Sequence, residues 1–218
     1  MTKRFNITGT CFPDRHYMVD ISDRVAQIKK MVDDNDYFCI NRGRQYGKTT
    51  TLHALKKALD NDYEVYSISF EGLDDASYKT DTSLAYALFE LMEMTSLERD
   101  NSISAPLQER VSKIVHDHEQ DRAIPLNRVQ MLISQLISIA AKPVVLMIDE
   151  VDQASNYDSF IRLLGLLRSL YLRRERVATF QSVILAGVYD IKNLKLKIRP
   201  DAEHQYNSPW NIATNFDV

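Results

Sequence analysis

Apolar and polar positions along the chain follow two periods, and their alternation predicts an α/β fold. Tyr37-Phe38-Cys39-Ile40 and Val144-Val145-Leu146-Met147-Ile148 are short unbroken runs rich in β-branched and aromatic residues. Runs of that length read as strands buried on both faces. Tyr63 to Phe70 alternates and makes a third strand, and Ser182 to Ala186 makes a fourth. Between them the period lengthens to that of a helix. Ser22 is placed to cap a helix carrying Val25, Ile28 and Met31 on one face. Leu52, Leu55 and Leu59 mark a helix starting near Gly47, and Leu84, Leu88 and Leu91 mark another within Thr82 to Met94. Ser104 shortly before Pro106 is a start signal for a helix with Val111, Ile114 and Val115. Leu126 to Ala140 and Phe160 to Arg173 are two more. Strands alternating with helices imply a mostly parallel sheet in a three-layer αβα domain. Residues 190–218 are polar, carry Pro200 and Pro209, and read as an irregular exit with one short edge strand.

Composition adds exclusions. Hydrophobic residues make up 44% and charged residues 26%, enough to bury a core. The net charge of −3 gives no bulk attraction to nucleic acid, which local patches leave open but nothing indicates. Two cysteines, Cys11 and Cys39, cannot build a disulfide framework or a four-cysteine zinc site. Cys39 lies in a buried run, so free thiols and a reducing, cytoplasmic setting are expected. The start MTKRFNITGT lacks the apolar stretch of a signal peptide, and no run approaches the ~18 apolar residues of a membrane span. No membrane partner is expected.

The chain has six glycines where ~7% usage would give roughly 15. That matters because the strongest chemical signal is a phosphate loop, Arg42-Gly43-Arg44-Gln45-Tyr46-Gly47-Lys48-Thr49-Thr50, between a strand and a helix. The pattern G-x-x-x-x-G-K-[ST] is met at Gly47, Lys48 and Thr49, but Arg42 stands at the first glycine position. Gly47 lets backbone approach a phosphate, and successive N–H groups at the positive end of a helix suit an anion. Lys48 can neutralise the β- and γ-phosphates and the Thr49 hydroxyl can ligate Mg²⁺. Arg44, Gln45, Tyr46, Gly47, Lys48, Thr49 and Thr50 are therefore the expected nucleotide-binding residues. The bland alternative is a strand-turn-helix corner with a surface lysine.

About 100 residues later the strand Val144 to Ile148 ends in Asp149-Glu150-Val151-Asp152. A strand running beside the loop strand would bring Asp149 to the metal, with Thr49 as the other ligand. Glu150 would then orient and deprotonate an attacking water. Acids also end strands simply because solvent is there, so it is the pairing with Lys48 that carries weight. Lys48, Asp149 and Glu150 are the expected catalytic set.

Other candidates are weaker. Tyr189 and Asp190 follow the fourth strand too late for a clear γ-phosphate sensor. Arg168, Arg173, Arg174 and Arg176 suit a solvated helix end, with an arginine finger or a nucleic-acid patch as lesser readings. His116 and His118 are two residues apart and do not share a helix face. His16 and Tyr17 could line an adenine pocket or pack an N-terminal cap. No [NT]-K-x-D element supports guanine selectivity.

His16-Tyr17-Met18-Val19-Asp20, Tyr37-Phe38, Arg44 to Thr50 and the late Asn207-Ser208-Pro209-Trp210-Asn211-Ile212 together resemble bacterial AAA-like P-loop ATPases, close to the STAND branch. The resemblance implies the strand order 5-1-4-3-2, with an extra strand between loop strand and acidic strand. It also implies that 1–218 is one AAA-like core, with 1–35 as N-terminal cap segment and helix and 190–218 as exit segment. Relatives usually continue into a helical lid or an effector domain, sometimes nuclease-like; neither is expected within these 218 residues. The leading expectation is an ATP-binding, Mg²⁺-dependent ATPase whose ATP/ADP cycle drives a conformational or signalling change. Self-association and an unknown protein partner or effector stay open. The alternative, motivated by Arg42, is a nucleotide switch that does not hydrolyse. A phosphotransferase is a third reading, and the adjacent acids count against it.

Overall fold

The computed structural model describes residues 3–5, 11, 14–41, 43, 47–98, 101–188, 210 and 214–217. The strands are β1 (Phe38–Asn41), β2 (Glu64–Ser69), β3 (Val144–Asp149), β4 (Ser182–Gly187) and β5 (Thr214–Asp217). They form one sheet whose order, from one edge, is β5-β1-β4-β3-β2. Every neighbouring pair is parallel. Asn41 and Gly187 are opposite one another on β1 and β4, and β4 pairs in turn with β3. The acidic strand thus does not pair with the loop strand, as the motif alone suggested; β4 lies between them, as the family resemblance implied.

The helices are α1 (Ser22–Asp33), α2 (Lys48–Leu59), α3 (Asp75–Lys79), α4 (Asp81–Ser96), α5 (Ala105–Asp117), α6 (Leu126–Ser138) and α7 (Asp158–Leu172). Alternate residues of the central strands feed two cores. Phe38, Ile40, Val145, Met147 and Ile184 meet α1 and α2 through Ile28, Leu52 and Leu55. Cys39, Leu146, Ile148, Val183 and Leu185 meet α4 to α7 on the other face. Parallel strands covered on both faces must be apolar throughout, which is why β3 reads as an unbroken run. Its residues Val144 to Ile148 are all 0% exposed. Each such side chain contributes roughly 2 kcal/mol of apolar burial, so a charge placed there would break the sheet.

Only the start of α1 differs from expectation; the starts of α5 and α3 add bonds that the sequence does not show. Ser22 lies inside α1 and makes no cap bond of its own; its N–H donates instead to Asp20 Oδ1 at 2.9 Å. Ser104 does precede α5, but its hydroxyl donates to Glu64 Oε2 at 2.9 Å rather than accepting from the helix. The short helix α3 has too few residues to show a period, and it is started by the Asp74 carboxylate accepting from Ser77 N–H at 2.9 Å. β2 is an edge strand whose outer groups are covered by hydroxyls. Val65 N–H donates to Ser102 Oγ at 3.1 Å and Thr95 Oγ1 donates to the Ser67 carbonyl at 3.3 Å. Such covering removes a template for pairing with another chain. Cys11 is half-buried and Cys39 is buried.

Candidate functional site

All strands point the same way, so the ends of β1 and β3 emerge on one rim with β4 between them. Gly47 sits at the start of α2 with φ 76° and ψ 24°, in the left-handed region where only glycine is unstrained. A Cβ there would meet nothing within 4 Å among the described residues, so conformation rather than crowding calls for glycine. The first turn of α2 carries no acidic residue, and its N-cap, Gly47, has no side chain to offer. The positive end of the helix dipole is left for an anion.

Lys48 is buried, its side chain only 8% exposed. Its Nζ stands 3.1 Å from Glu150 Oε1 and 3.4 Å from Asp149 Oδ1. Next to it Thr49 Oγ1 donates to Asp149 Oδ2 at 3.2 Å. Residues some 100 positions apart thus converge within hydrogen-bond reach. Thr49 and Asp149 offer adjacent hard oxygen donors of the kind Mg²⁺ takes, and that ion usually binds through one or two carboxylates together with substrate phosphates and waters. No group of three or more His, Cys, Asp or Glu able to cage a metal occurs among the described residues. Thr49 and Asp149 could hold such an ion only together with phosphate oxygens and waters.

Glu150 has φ 53° and ψ 37°, a left-handed conformation that costs a side-chain-bearing residue roughly 1–2 kcal/mol. Its N–H donates to Asp149 Oδ1 at 2.8 Å, and a short 3-10 turn, Val151–Ala154, follows. This strain had no signal in the sequence. Thr50 Oγ1 accepts from Cys11 N–H at 3.2 Å. Arg42, Arg44, Gln45 and Tyr46 lie outside the described residues, as do Tyr189, Asp190 and all of Asn207 to Ile212 except Trp210.

A cleft of about 380 Å³ opens beside Thr49 and Asp149, between α2, the end of β2 and the end of α4. Ser67, Ser69 and Glu71 line it, and a Lys56–Glu98 ion pair of 2.8 Å lies among its outer residues. The remaining candidates fall elsewhere. Arg173, Arg174 and Arg176 follow α7 at the opposite rim, where Gln181 N–H donates to the Val144 carbonyl at 2.8 Å. Arg174 covers the Tyr171 ring at 4.0 Å. His116 pairs with Glu119 at 3.6 Å and His118 Nδ1 lies 2.9 Å from the Ile114 carbonyl. His16 is buried and bridges to Arg4, whereas Tyr17 is exposed.

Residues 14–196 match the family model described as AAA-ATPase-like, predicted AAA-ATPase. The chain belongs to the AAA-ATPase-like family. Membership agrees with a nucleotide-binding ATPase core. A Drosophila ORC structure bound to DNA is 12% identical, over 89% of this chain and 87% of that one, with a TM-score of 0.45. Aeropyrum pernix ORC2, in ADPNP–ADP complexes, is 11% identical over 91% of this chain with a TM-score of 0.50. The AAA-ATPase-like chain spans about half of that ORC2 chain, 48%. At such identity the likeness concerns the fold alone. No curated protein matches in sequence. No helix among the described residues is long and apolar enough to cross a membrane.

Proposed function

We propose that this AAA-ATPase-like protein binds ATP with Mg²⁺ and hydrolyses it, using the cycle to drive a conformational or signalling change in the manner of STAND ATPases. The observation that carries the reading is the convergence of Lys48 and Thr49 with Asp149 and Glu150 within 3.1–3.4 Å. N–H groups at the start of α2 and the Lys48 ammonium hold the β- and γ-phosphates. Thr49 and Asp149 hold the metal, which supplies charge neutralisation of the phosphate oxygens. Phosphate draws Lys48 away from Glu150, and the freed carboxylate accepts a proton from water aimed at the γ-phosphorus. Arg44, Gln45 and Tyr46 complete the loop around the phosphates, with Thr50 fixing its exit. Residues 1–218 act as a single AAA-like core that works through self-association or through a protein partner or effector domain. A chain with only two cysteines, one of them buried, suits the cytoplasm.

A non-hydrolysing switch is the second reading, favoured by the Lys48–Glu150 contact, which engages the base directly. Calorimetric titration with a non-hydrolysable ATP analogue, with and without Mg²⁺, tests binding. Phosphate release from ATP then separates the readings. Metal-dependent binding with turnover supports hydrolysis, binding without turnover supports the switch, and absence of binding overturns both.

A further inference from the structure

We propose that Asp152 and Gly187 form a latch that positions the Glu150 carboxylate, an inference that rests on the hydrolytic reading above. The latch consists of a carboxylate on the turn after β3 and a bare backbone at the end of β4. Asp152 Oδ2 accepts from Val188 N–H at 2.5 Å. A Cβ on Gly187 would lie 2.9 Å from Val151 Cγ2 and 3.1 Å from each carboxylate oxygen of Asp152. Val151 and Asp152 therefore occupy the space that any side chain at position 187 would need. A Cβ at 2.9 Å would force Val151 or Asp152 to shift, so glycine is what lets the turn sit this close to β4.

The turn so pinned is the one that begins at Glu150. Gln153 N–H donates to the Glu150 carbonyl at 3.1 Å and Ser155 N–H to the Asp152 carbonyl at 3.1 Å, so the turn moves as a unit. A glutamate at φ 53° stays there only if its surroundings hold it. On one side Lys48 holds the carboxylate at 3.1 Å, a contact that incoming phosphate disrupts. On the other side the Asp152–Val188 bond fastens the turn to β4, the strand between the metal-bearing β3 and the loop strand β1. Once Lys48 turns to phosphate, the latch is what keeps Glu150 from relaxing to an ordinary backbone conformation and swinging its carboxylate off line. Asp152 acts through Glu150 and is a positioning residue.

The test compares Asp152→Ala, Asp152→Asn and Gly187→Ala by ATP turnover, nucleotide affinity, thermal melting and amide hydrogen exchange of the whole chain. Asp152→Ala should lower kcat about 10- to 100-fold, the cost of a small misplacement, with KM and affinity for ATP little changed. Asp152→Asn keeps an oxygen for the Val188 N–H and should restore most of the rate. Gly187→Ala pushes the same turn from the opposite strand and should mimic Asp152→Ala. In Asp152→Ala the Glu150 and Val188 amides should exchange faster while those of β3 do not. Wild-type kcat in Asp152→Ala, or an Asp152→Asn rate as low as that of Asp152→Ala, overturns the latch. A lowered affinity with unchanged kcat does so as well. Should the wild-type protein bind ATP but not hydrolyse it, the hydrolytic reading fails by itself. The exchange arm then decides the latch: unaltered Glu150 protection in both Asp152→Ala and Gly187→Ala overturns it.

Discussion

The two rims of the sheet handle acidic side chains in opposite ways. At the rim where the strands begin, Glu64 is fully buried. Its carboxylate accepts from Ser104 N–H and Oγ–H, both at 2.9 Å, and from the N–H groups of Ala141 and Lys142 at 2.7 and 3.0 Å. Those donors come from the start of α5 and the turn into β3, so one side chain ties three connections together. At the rim where the strands end, Asp149 and Glu150 meet the ammonium of Lys48 and the hydroxyl of Thr49. A carboxylate supplied with donors by its own fold is a fastener. Carboxylates that share one lysine and one hydroxyl beside a helix start can exchange those partners for a ligand.

The comparison can be broken by mutation. Lys48→Ala removes the charge on which the ending rim depends and should abolish ATP binding in calorimetry; retained micromolar affinity would show that the rim is not a phosphate site. Glu150→Gln keeps the shape of the base but not its charge. Phosphate release should fall by about 10²- to 10⁴-fold while ATP still binds. Equal turnover in Glu150→Gln and wild type would refute the assigned base. Chelation of divalent metal, or Asp149→Asn, should reduce turnover and nucleotide affinity together, and insensitivity to both would remove the metal from the scheme.

The opening rim should answer with stability instead. Glu64→Ala leaves buried N–H groups unpaired and should cost about 3 kcal/mol or more in denaturant unfolding, with ATP affinity of the folded fraction unchanged. A loss below about 1 kcal/mol would mean that water replaces the carboxylate there. The smallest effect is expected at Asp33, near the same rim. Burial alone would raise its carboxyl, but the Tyr63 hydroxyl at 2.6 Å and the Lys29 ammonium at 3.1 Å hold it below the usual range. Burial and the Asp33 carboxylate in turn push the Tyr63 hydroxyl up to about 12. A depressed carboxyl contributes stability above its unfolded value of ~4 and loses it as pH falls through the lower folded value. Asp33→Asn should therefore flatten the acid side of a melting-temperature profile slightly, and any alkaline change should appear only above pH ~10, where the unfolded Tyr63 hydroxyl begins to ionise.

Much of the fold was legible because β1, β3 and β4 are buried on both faces, and burial on both faces forces unbroken apolar runs. The helices that pack one stripe on the sheet showed their period for the same reason. Serines were harder to place. Ser22 and Ser104 look like caps locally, yet what each bonds depends on Asp20 and on Glu64, the latter 40 residues away from Ser104. Lys48, Thr49, Asp149 and Glu150 could be named from spacing, and the structure brings them within 3.1–3.4 Å of one another. Asp152 stood in plain sight after Asp149-Glu150, and Gly187 was one of six scarce glycines, but nothing in one dimension joins the two.

The sequence by itself determined that strands and helices alternate, that a glycine, a lysine and a threonine open one helix, and that acids close a buried strand. Those are consequences of local periodicity and of residue chemistry, which travel with the chain. Tertiary structure decided that β4 separates the acidic strand from the loop strand. It also decided that Glu64 is a fastener and Glu150 a strained, Lys48-bound side chain. Each of these depends on which segments become neighbours after the chain closes. A carboxylate's role is set by the donors that surround it, and those donors are supplied from elsewhere in the chain.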